Sequence, residues 1–353
     1  MKDSMDVYIL DANFQLVSIG LPYINLQWNR RYYEAGDFQL EISAKIYDES
    51  WAYIGTADRP ELGMIQKIQL FGEGDVSVLI SGYFCEKMLD DKTCYPRYIG
   101  NATNTETAVR NIFTKYKDDL PIQLAAANNP PLGDRTQSDF SDDQLGEKLF
   151  KMLESRECSY RVLYDYVNNK LMFQVWQGLD RTQSQNVNSH QVFSTEFGNI
   201  IDKTIDLDDS GYKNYAIVPV NSDDDGKEQA TYYVDLSKGG YKREIVFDFR
   251  ASRPEKDQSM ADFKDGVIQE ATERLLSFAK IEDIEVVTAG AVGYMVDYNL
   301  GDKCDVLLSD VGIKLETRIV EIREVFKADG GHTVGIGLGN KRISNIRRAV
   351  NSL

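Results

Sequence analysis

The sequence predicts an α+β fold that is mainly β: two groups of strands, an α/β insert between them and a long helix inserted in the second group. Strand-like alternation dominates up to about residue 95 and resumes from about residue 190. Between these limits, residues 100–178 contain two stretches of helical periodicity. One more helical stretch interrupts the second strand group.

The first strand group contains paired alternating runs separated by turns. VYILDANFQLVSIG alternates around residues 11–13, and GMIQKIQLFGEGDVSVLISGYFCEKMLDDK alternates around residues 72–75. The run GDFQLEI alternates strictly, with apolar Phe38, Leu40 and Ile42. These strands predict a small barrel or a sandwich.

Two helices are predicted in the insert, each from a capping-box pattern. Thr103 with Glu106 precedes the first helix, and Ser141 with Gln144 precedes the second. The apolar positions of the two helices are Val109, Ile112, Phe113 and Tyr116, then Leu145, Leu149 and Leu153.

A hairpin is predicted after these helices, and strands follow it. SYRVLYDYVNNKLMFQVWQG alternates on both sides of Asn168 and Asn169, a pair that tolerates positive φ. Later strands are KNYAIVPV, ATYYVDLS, YKREIVFDFR, CDVLLSD, VGIKLETRIVEIREVF and HTVGIGLG. Among them, residues 259–280 predict a helix with one apolar face. That face contains Met260, Phe263, Val267, Ala271, Leu275 and Phe278.

The two strand groups share a weak internal pattern. In each, a Gly-Asp pair enters a strand (GDFQLEI, LGDKCDVLL), and a later strand ends in charged residues (LISGYFCEKMLDDK, ETRIVEIREVFKADG). Short shared patterns also arise by chance in β-rich chains, so the pattern leaves duplication and coincidence both open. A true repeat predicts two similar barrels that do not share a sheet.

Length and charge exclude several classes of protein. A chain of 353 residues exceeds the usual size of one hydrophobic core, so two or more domains are expected. The net charge of −16 argues against binding nucleic acid through phosphates and against binding anionic lipid. No run approaches the roughly 18 apolar residues of a membrane span, and the N-terminus does not resemble a signal peptide. The protein is therefore expected to be made in the cytoplasm.

No residue pattern indicates catalysis, a metal or a cofactor. Cys85, Cys94, Cys158 and Cys304 lack zinc-type spacing and are expected to be reduced and packed singly. His190 and His332 both look like loop residues.

Acidic and glycine-rich stretches also favour structural roles. NSDDDGKEQATY has Tyr232 where an EF-hand needs glutamate, and DLDDSG fails in the same way at Ile217, so both are interpreted as polar loops. VGIGLGN lacks phosphate-loop spacing, and its alternation predicts a strand with an apolar face and a bare glycine face. Carboxylate pairs of the glycosidase kind cannot be picked out from this sequence.

The stretches WNRRYYEAGDFQLEI, ISGYFCEKMLDD, RYIGNATNTETAVRNIF and VDYNLGDKCDVLLSDVGIKLETRIVEIREVFKADGGHTVGIGLG resemble the baseplate hub, or tail-associated, proteins of siphophages and related prophage tails. The resemblance covers essentially the whole chain. Its most specific parts are the R-R-Y-x-x-x-G-x-F-x-L block and the D-Y-x-L-G-D block followed by R-I-V-E-I.

This resemblance implies a homotrimer that closes the tail tube, with two related small β-barrel domains in each subunit. The implied domains are residues 1–98, an α+β insert at 99–185, and 186–353 with the inserted helix. Implied partners are tail-tube and distal tail proteins and receptor-binding or lytic tail-tip proteins, and the implied location is the virion tail tip. Relatives often continue into wall-degrading regions, whereas this chain stops at Leu353, so any such activity is expected in another polypeptide.

The resemblance suggests a structural hub with no catalytic activity. A wall-degrading enzyme and a monomeric module that binds cell-wall glycan remain the alternatives. A hub that encloses the path of DNA should carry an excess of Asp and Glu on its axial surface, because a basic wall would retain the duplex.

The candidate interface residues are Trp28, Arg30, Arg31, Tyr32 and Tyr33, because aromatic residues and arginine are enriched where interfaces carry their energy. In the alternative interpretation, Trp28 and one tyrosine belong to the core and the arginines pair with internal carboxylates. The interface interpretation expects both arginines to lie away from the axis. It also expects reversal of both charges to weaken assembly while leaving the monomer folded.

Overall fold

A computed structural model describes residues 5–72, 76–140, 143–221, 229–254, 258–288 and 293–339. The strands in chain order are β1 (Val7–Leu10), β2 (Leu16–Ile19), β3 (Asn25–Arg31), β4 (Asp37–Ser43), β5 (Tyr53–Thr56), β6 (Arg59–Met64), β7 (Lys67–Phe71), β8 (Ser77–Tyr83), β9 (Tyr98–Ala102), β10 (Ile122–Leu124), β11 (Thr136–Phe140), β12 (Ser159–Asp165), β13 (Lys170–Trp176), β14 (Val192–Ser194), β15 (Ile200–Asp208), β16 (Tyr215–Asn221), β17 (Gln229–Asp235), β18 (Glu244–Val246), β19 (Ile281–Thr288), β20 (Lys303–Leu308), β21 (Ile313–Lys327) and β22 (His332–Gly339). The α-helices are α1 (Thr105–Tyr116), α2 (Leu145–Glu154) and α3 (Met260–Leu276), and 3₁₀ helices span Ala44–Ile46 and Cys85–Asp91.

A ten-stranded sheet is the largest unit of the fold. Its main path runs in the order β15, β19, β22, β21, β3, β4, β8, β7, and β20 and β14 lie off this path beside β21. The two strand groups meet where β3 pairs antiparallel with β21, with Trp28 opposite Glu324 and Arg30 opposite Ile322. The described part of the chain is thus mainly β, as predicted, but the expectation of two separate barrels is wrong. The two groups share one sheet, and among the described strands neither large sheet closes into a barrel.

A seven-stranded sheet packs against strands β3, β4 and β8 of this large sheet. Its order is β10, β13, β12, β6, β5, β1, β2. All four residues of β1 are buried because both faces of this strand are covered. Val7 and Ile9 pack towards Trp28 and Phe38 of the large sheet, whereas Tyr8 and Leu10 pack towards the insert. The run VYIL is therefore apolar throughout, as expected for a strand between two layers.

The insert covers the other face of the seven-stranded sheet. Its core combines α1, α2 and the hairpin of β12 and β13, with Phe113 stacked on Phe173 at 4.2 Å and Phe150 on Tyr160 at 3.9 Å. The predicted hairpin is confirmed, and Asn169 has a φ of 51°. This hydrophobic core also includes Leu62 of β6, which lies before the expected insert. The domain limits 1–98, 99–185 and 186–353 stay a prediction.

The predicted helices are confirmed, but their caps differ from the prediction. Asn104, not Thr103, caps α1, because its side chain accepts a hydrogen bond from the backbone N–H of Thr107 at 2.8 Å. Glu106 is buried and instead accepts hydrogen bonds from the Asn128 and Leu132 backbone N–H groups, which orders the Asn- and Pro-rich loop. Gln144 precedes α2 and its side chain makes no cap hydrogen bond, and Ser141 lies outside the described residues.

A small α/β unit projects between β15 and β19. Helix α3 begins at the predicted boundary, capped by Ser259, and ends four residues before the expected position 280. Its buried face is formed by Phe263, Val267, Ala271 and Leu275, and it packs on a three-stranded sheet of β17, β16 and β18. Met260 and Phe278 border this core, since Met260 is exposed and Phe278 is only partly buried against it.

The remaining sequence interpretations have mixed outcomes. The glycine series forms β22 as predicted, with Val334, Ile336 and Leu338 buried. Residues 206–208 were expected in a loop but belong to β15, and His332 begins β22. Most of the other acidic stretch, residues 222–228, lies outside the described residues, as do turn residues 73–75 and Leu353.

Candidate functional site at the junction of the strand groups

Arg30 is the centre of a buried polar network at the junction of the two strand groups. Its Nε donates to Glu61 Oε1 at 2.7 Å, and its Nη2 contacts the same oxygen. Its Nη1 donates to the Tyr294 hydroxyl at 2.5 Å and to Asn299 Oδ1 at 3.1 Å. Burial alone would lower the pKa of Arg30, but Glu61 and Tyr294 raise it above its ordinary value. The guanidinium therefore remains charged and joins β3, β6 and the segment before β20.

A second buried ion pair lies beside this network. Arg59 donates through Nε and Nη2 to the two oxygens of Glu324 at 2.9 and 2.6 Å, a bidentate geometry. Glu324 is fully buried, and His332 Nε2 lies 3.3 Å from its Oε1. Burial alone would raise the pKa of Glu324, but His332 and Arg59 hold it below its ordinary value. This pair also joins the two strand groups, because Arg59 begins β6 and Glu324 lies in β21.

Trp28 and Tyr32 lie in the interior of the fold, and Tyr33 is partly buried beside Tyr32. Trp28 is fully buried, with its ring 4.6 Å from that of Phe84. Tyr32 is fully buried against Trp176 at 5.0 Å, and Tyr33 is half-buried at 4.7 Å from Tyr32. The side chains of Trp28 and Tyr32 therefore offer no exposed surface to another chain.

Arg31 lies on the opposite side of β3 from Arg30. It is 2.5 Å from Asp37, 3.2 Å from Glu34 and 3.7 Å from Glu321. The alternative interpretation from the sequence, core aromatics and internally paired arginines, describes these intrachain contacts. A partner contact at the half-buried Arg31 and Tyr33 stays a prediction.

A further buried carboxylate lies where the insert joins the rest of the fold. Strand β12 pairs with β6 at one position, Leu163 opposite Glu61. Next to this position, Glu86 Oε1 accepts a hydrogen bond from the Val162 N–H at 2.9 Å. Burial raises the pKa of Glu86 to about 7.

The ten-stranded sheet has one apolar and one mostly polar face. The apolar face includes Trp28, Phe38, Ile80, Ile322 and Ile336, and the seven-stranded sheet covers part of it. The opposite face carries the acidic residues Asp37, Glu41, Asp202, Asp206, Asp208, Asp283, Glu285 and Glu321 and the basic residues Lys67, Arg31, Arg323 and Lys327. We call this surface the acidic sheet face. Gly335, Gly337 and Gly339 of β22 also lie on it, and Arg323 of β21 pairs with Glu285 of β19 across this strand at 3.1 Å.

The sequence missed most of the residues at this junction. It singled out Arg30 but not Glu61, Tyr294 or Asn299, which come from distant parts of the chain. One available signal was Glu324, which stands between Ile322 and Phe326 on the buried side of an alternating strand. A charge at such a position requires a buried partner.

The described residues offer little that resembles a catalytic centre. Within them, no cluster of three or more His, Cys, Asp or Glu is arranged to hold a metal ion. The four cysteines are buried, and His190 is exposed and contacts the Gln185 carbonyl through Nε2 at 2.8 Å. Among the helices of the described residues, none combines the length and apolar character needed to cross a bilayer.

The fold is that of phage and prophage tail proteins. A tail protein from Neisseria meningitidis MC58 superposes with a TM-score of 0.59 at 14% identity, covering 96% of this chain and 97% of that one. The 43 kDa tail protein of prophage MuSo2 from Shewanella oneidensis gives 0.60 at 12% identity, covering 94% and 98%. Prophage tail protein gp18 from Listeria monocytogenes EGD-e gives 0.56 at 12% identity, covering 98% of both chains.

The sequence itself matches a family model over residues 6–340, so the chain belongs to the family described as siphovirus ReqiPepy6 Gp37-like protein. This confirms the resemblance to siphophage tail proteins. No curated protein matches the chain. The family and the fold make this a structural protein of the phage tail and baseplate type.

Proposed function

We propose that this protein is the hub of a siphophage-type baseplate: a homotrimeric adaptor that closes the tail tube and joins it to distal tail and host-binding proteins at the tail tip. The observation that carries the proposal is the acidic sheet face. A sheet of ten strands has one face covered by its own protein and the other left polar. A sheet that lines a water-filled passage needs one apolar face packed on its own protein and one polar face in contact with water.

Charge on the acidic sheet face supports a passage for DNA. Asp206, Asp208 and Asp202 are exposed along β15, and acidic residues outnumber basic ones across the face. Duplex DNA carries one phosphate per about 1.7 Å, so an acidic wall repels it and a basic wall would retain it. Arg31 lies on this face, against the expectation that it lies away from the axis, but Asp37, Glu34 and Glu321 surround its charge.

The protein would act through assembly, without catalysis of its own. Its buried charges, Arg30 with Glu61 and Arg59 with Glu324, fix the seven-stranded sheet against the ten-stranded one. A rigid sheet suits a ring component, since a small error in curvature would accumulate around the ring.

The test is the mass of the protein in solution, alone and with its phage's tail-tube and distal tail proteins. Sedimentation should give a trimer in at least one of these mixtures, and electron microscopy should show a ring with an open centre. A chain that stays monomeric in every mixture would contradict the proposal. Binding or cleavage of purified cell wall by such a monomer would instead support the glycan-binding or wall-degrading alternative.

A further inference from the structure

We propose that the C-terminal segment of this chain, residues 340–353, docks on the open face of the three-stranded sheet formed by β17, β16 and β18. The contact lies within one chain, so it goes beyond the hub function and does not depend on assembly. The segment lies outside the described residues. Its place is inferred from the open face, from the sequence of the segment and from the point where the segment leaves the fold.

The three-stranded sheet has one covered face and one open face. Helix α3 packs on the covered face, where Val218 and Val234 are buried. Alternate residues of the same strands lie on the other side, and Ile217 stands opposite both Tyr233 and Val246 in the register of the sheet. Tyr233 is 57% exposed and Val246 is 60% exposed. The described residues therefore leave this apolar row in contact with water.

Tyr215 and Pro219 extend the row along β16. Both alternate with its buried residues and so lie on the open face, and the ring of Tyr215 is 5.9 Å from that of Tyr233. We call Tyr215, Ile217, Pro219, Tyr233 and Val246 the open strip. Contiguous exposed apolar side chains, in contrast to single ones, mark surfaces that take a partner. The partner of this surface needs an apolar face of similar length.

The C-terminal segment has such a face. Its sequence is NKRISNIRRAVNSL, and Ile343, Ile346, Val350 and Leu353 recur at intervals of three and four, the spacing of one side of a helix. A helix rises 1.5 Å per residue, so Ile343 and Leu353 would lie about 15 Å apart. The open strip extends about 13 Å from Tyr215 to Pro219, at 3.3 Å per strand residue. The two apolar surfaces therefore match in length.

The charges of the two surfaces are opposite in sign. The basic residues of the segment are Lys341, Arg342, Arg347 and Arg348, and its sequence contains no acidic residue. Asp235, Glu244 and Asp248 border the open strip and are exposed. Lys242 pairs with Asp235 at 3.0 Å and Arg250 with Asp248 at 2.5 Å, which leaves the border acidic by one charge. A segment with four positive charges is therefore attracted to this border.

The segment leaves the fold beside the unit that carries the open strip. Strand β22 ends at Gly339, which pairs with Asp283 near the start of β19. The small α/β unit is attached at the same end of the sheet, because β15 ends at Asp208 and β19 begins opposite it. Lys213, two residues before the open strip begins, donates its backbone N–H to the Phe278 carbonyl at 2.9 Å. The first residues of the segment therefore start close to the attachment of the unit.

Disulfide formation within the full chain tests the contact. Val246→Cys is combined in turn with Ile343→Cys, Ile346→Cys and Val350→Cys. The four native cysteines are buried, which gives a clean background under mild oxidation. At least one combination should form a disulfide within a single chain, seen by mass spectrometry as a peptide that joins the two sites. Val167→Cys with the same three partners is the control, since Val167 is 91% exposed on the β12–β13 hairpin.

An arginine-specific protease provides the second measurement, because the segment contains its cleavage sites. Val246→Lys places a positive charge in the open strip, and cleavage after Arg342 should become roughly tenfold faster, since the rate follows the population of the undocked segment. Val167→Lys should leave the native rate unchanged. Circular dichroism should show both variants folded, because substitutions at exposed positions usually leave a fold intact.

The outcomes separate docking within the chain from other occupants of the open strip. Disulfides that join only two different chains would identify a second copy as the occupant and overturn the proposal. Equal cleavage rates in the native chain and Val246→Lys, with no disulfide above the control, would also overturn it. Protection that appears only after a tail-tube or distal tail protein is added would assign the strip to that protein instead. Neither measurement requires a ring, so the hub proposal stands or falls separately.

Discussion

Arg30 Nε donates to Glu61 Oε1 over 2.7 Å, with the two side chains 4% and 6% exposed. This contact joins β3 of the large sheet to β6 of the seven-stranded sheet. Removing one partner of a buried ion pair leaves the other charge without compensation, and such changes cost about 3–5 kcal/mol. Substitutions at Arg30 are therefore expected to lower the free energy of unfolding.

Arg30→Glu should destabilise the fold by at least this amount, because it places a second carboxylate against Glu61. This reverses the expectation from the sequence that charge reversal at Arg30 and Arg31 leaves the monomer folded. Urea unfolding followed by circular dichroism measures the loss. Arg253→Glu is the control, since Arg253 is exposed and its reversal should cost about 0.5 kcal/mol or less.

A paired apolar replacement checks the cause of that loss. Arg30→Met with Glu61→Leu removes both charges, and buried ion pairs replaced in this way are often neutral or stabilising. The double variant should therefore be more stable than Arg30→Met alone. Equal stability of the two would mean that the lost contacts of Arg30 with Tyr294 and Asn299 dominate the cost.

Glu86 should make the stability of the protein depend on pH. Its pKa in the fold is about 7, above the ordinary 4.5, because burial disfavours the carboxylate. The folded state binds the proton more tightly than the unfolded state. The stabilisation is therefore complete below pH 4.5 and is lost as the pH rises to 7, a change of roughly 3 kcal/mol.

Glu86→Gln should remove this component of the pH dependence, since glutamine keeps an acceptor for the Val162 N–H and cannot ionise. Unfolding free energies from pH 4.5 to 8 should fall less steeply in this variant than in the native chain. Glu49→Gln, at an exposed glutamate, should keep the native slope. Parallel curves for the native chain and Glu86→Gln would show that Glu86 does not titrate in this range.

Asn104→Ala should destabilise α1 by about 1 kcal/mol, because it removes the acceptor for the Thr107 N–H. Thr103→Ala should cost clearly less, since Thr103 Oγ1 accepts a hydrogen bond from the Asn104 side-chain amide at 3.2 Å but does not replace the Asn104 oxygen as the acceptor for the Thr107 N–H. Thermal unfolding of the two variants measures the difference. A larger loss for Thr103→Ala would restore the cap that the sequence pattern predicted.

Local features of the fold were predictable because they depend on neighbouring residues. The apolar face of α3, the hairpin at Asn169 and the alternation in β22 all follow from short-range periodicity and turn chemistry. The cap of α1 was misplaced by one residue because Thr103 and Asn104 are both good capping residues.

Long-range pairing was not predictable in this way. The contact between β3 and β21 joins residues nearly 300 positions apart, and no local pattern specifies which strands become neighbours. The contacts of the candidate interface residues were not predictable for the same reason. Arg30 looks like a surface residue until the chain brings Glu61 and Tyr294 to it, and Trp28 and Tyr32 have composition typical of either a core or an interface.

Gly301 is placed where a side chain is excluded by both conformation and contact. Its φ is +81°, and a Cβ there would lie 2.5 Å from Tyr32 Cε2 and 3.1 Å from Trp176 Cη2. Gly312 is a matched control, because its φ is +70° and a Cβ there would meet no atom within 4 Å. Gly312→Ala should therefore cost only the strain of a positive φ, about 1–2 kcal/mol. Gly301→Ala should cost this strain and a further 1–3 kcal/mol or so, because fully buried Tyr32 must shift.

The two glycine variants are compared by urea unfolding and by near-ultraviolet circular dichroism. Gly301→Ala should also change the near-ultraviolet spectrum, since Tyr32 packs edge-on against Trp176 at 5.0 Å. Gly312→Ala should keep the native spectrum. Adding Tyr32→Phe to Gly301→Ala should not recover stability, because the clash is with the ring and not with the hydroxyl. Equal losses in the two glycine variants, with unchanged spectra, would mean that Tyr32 does not pack against Gly301 in solution.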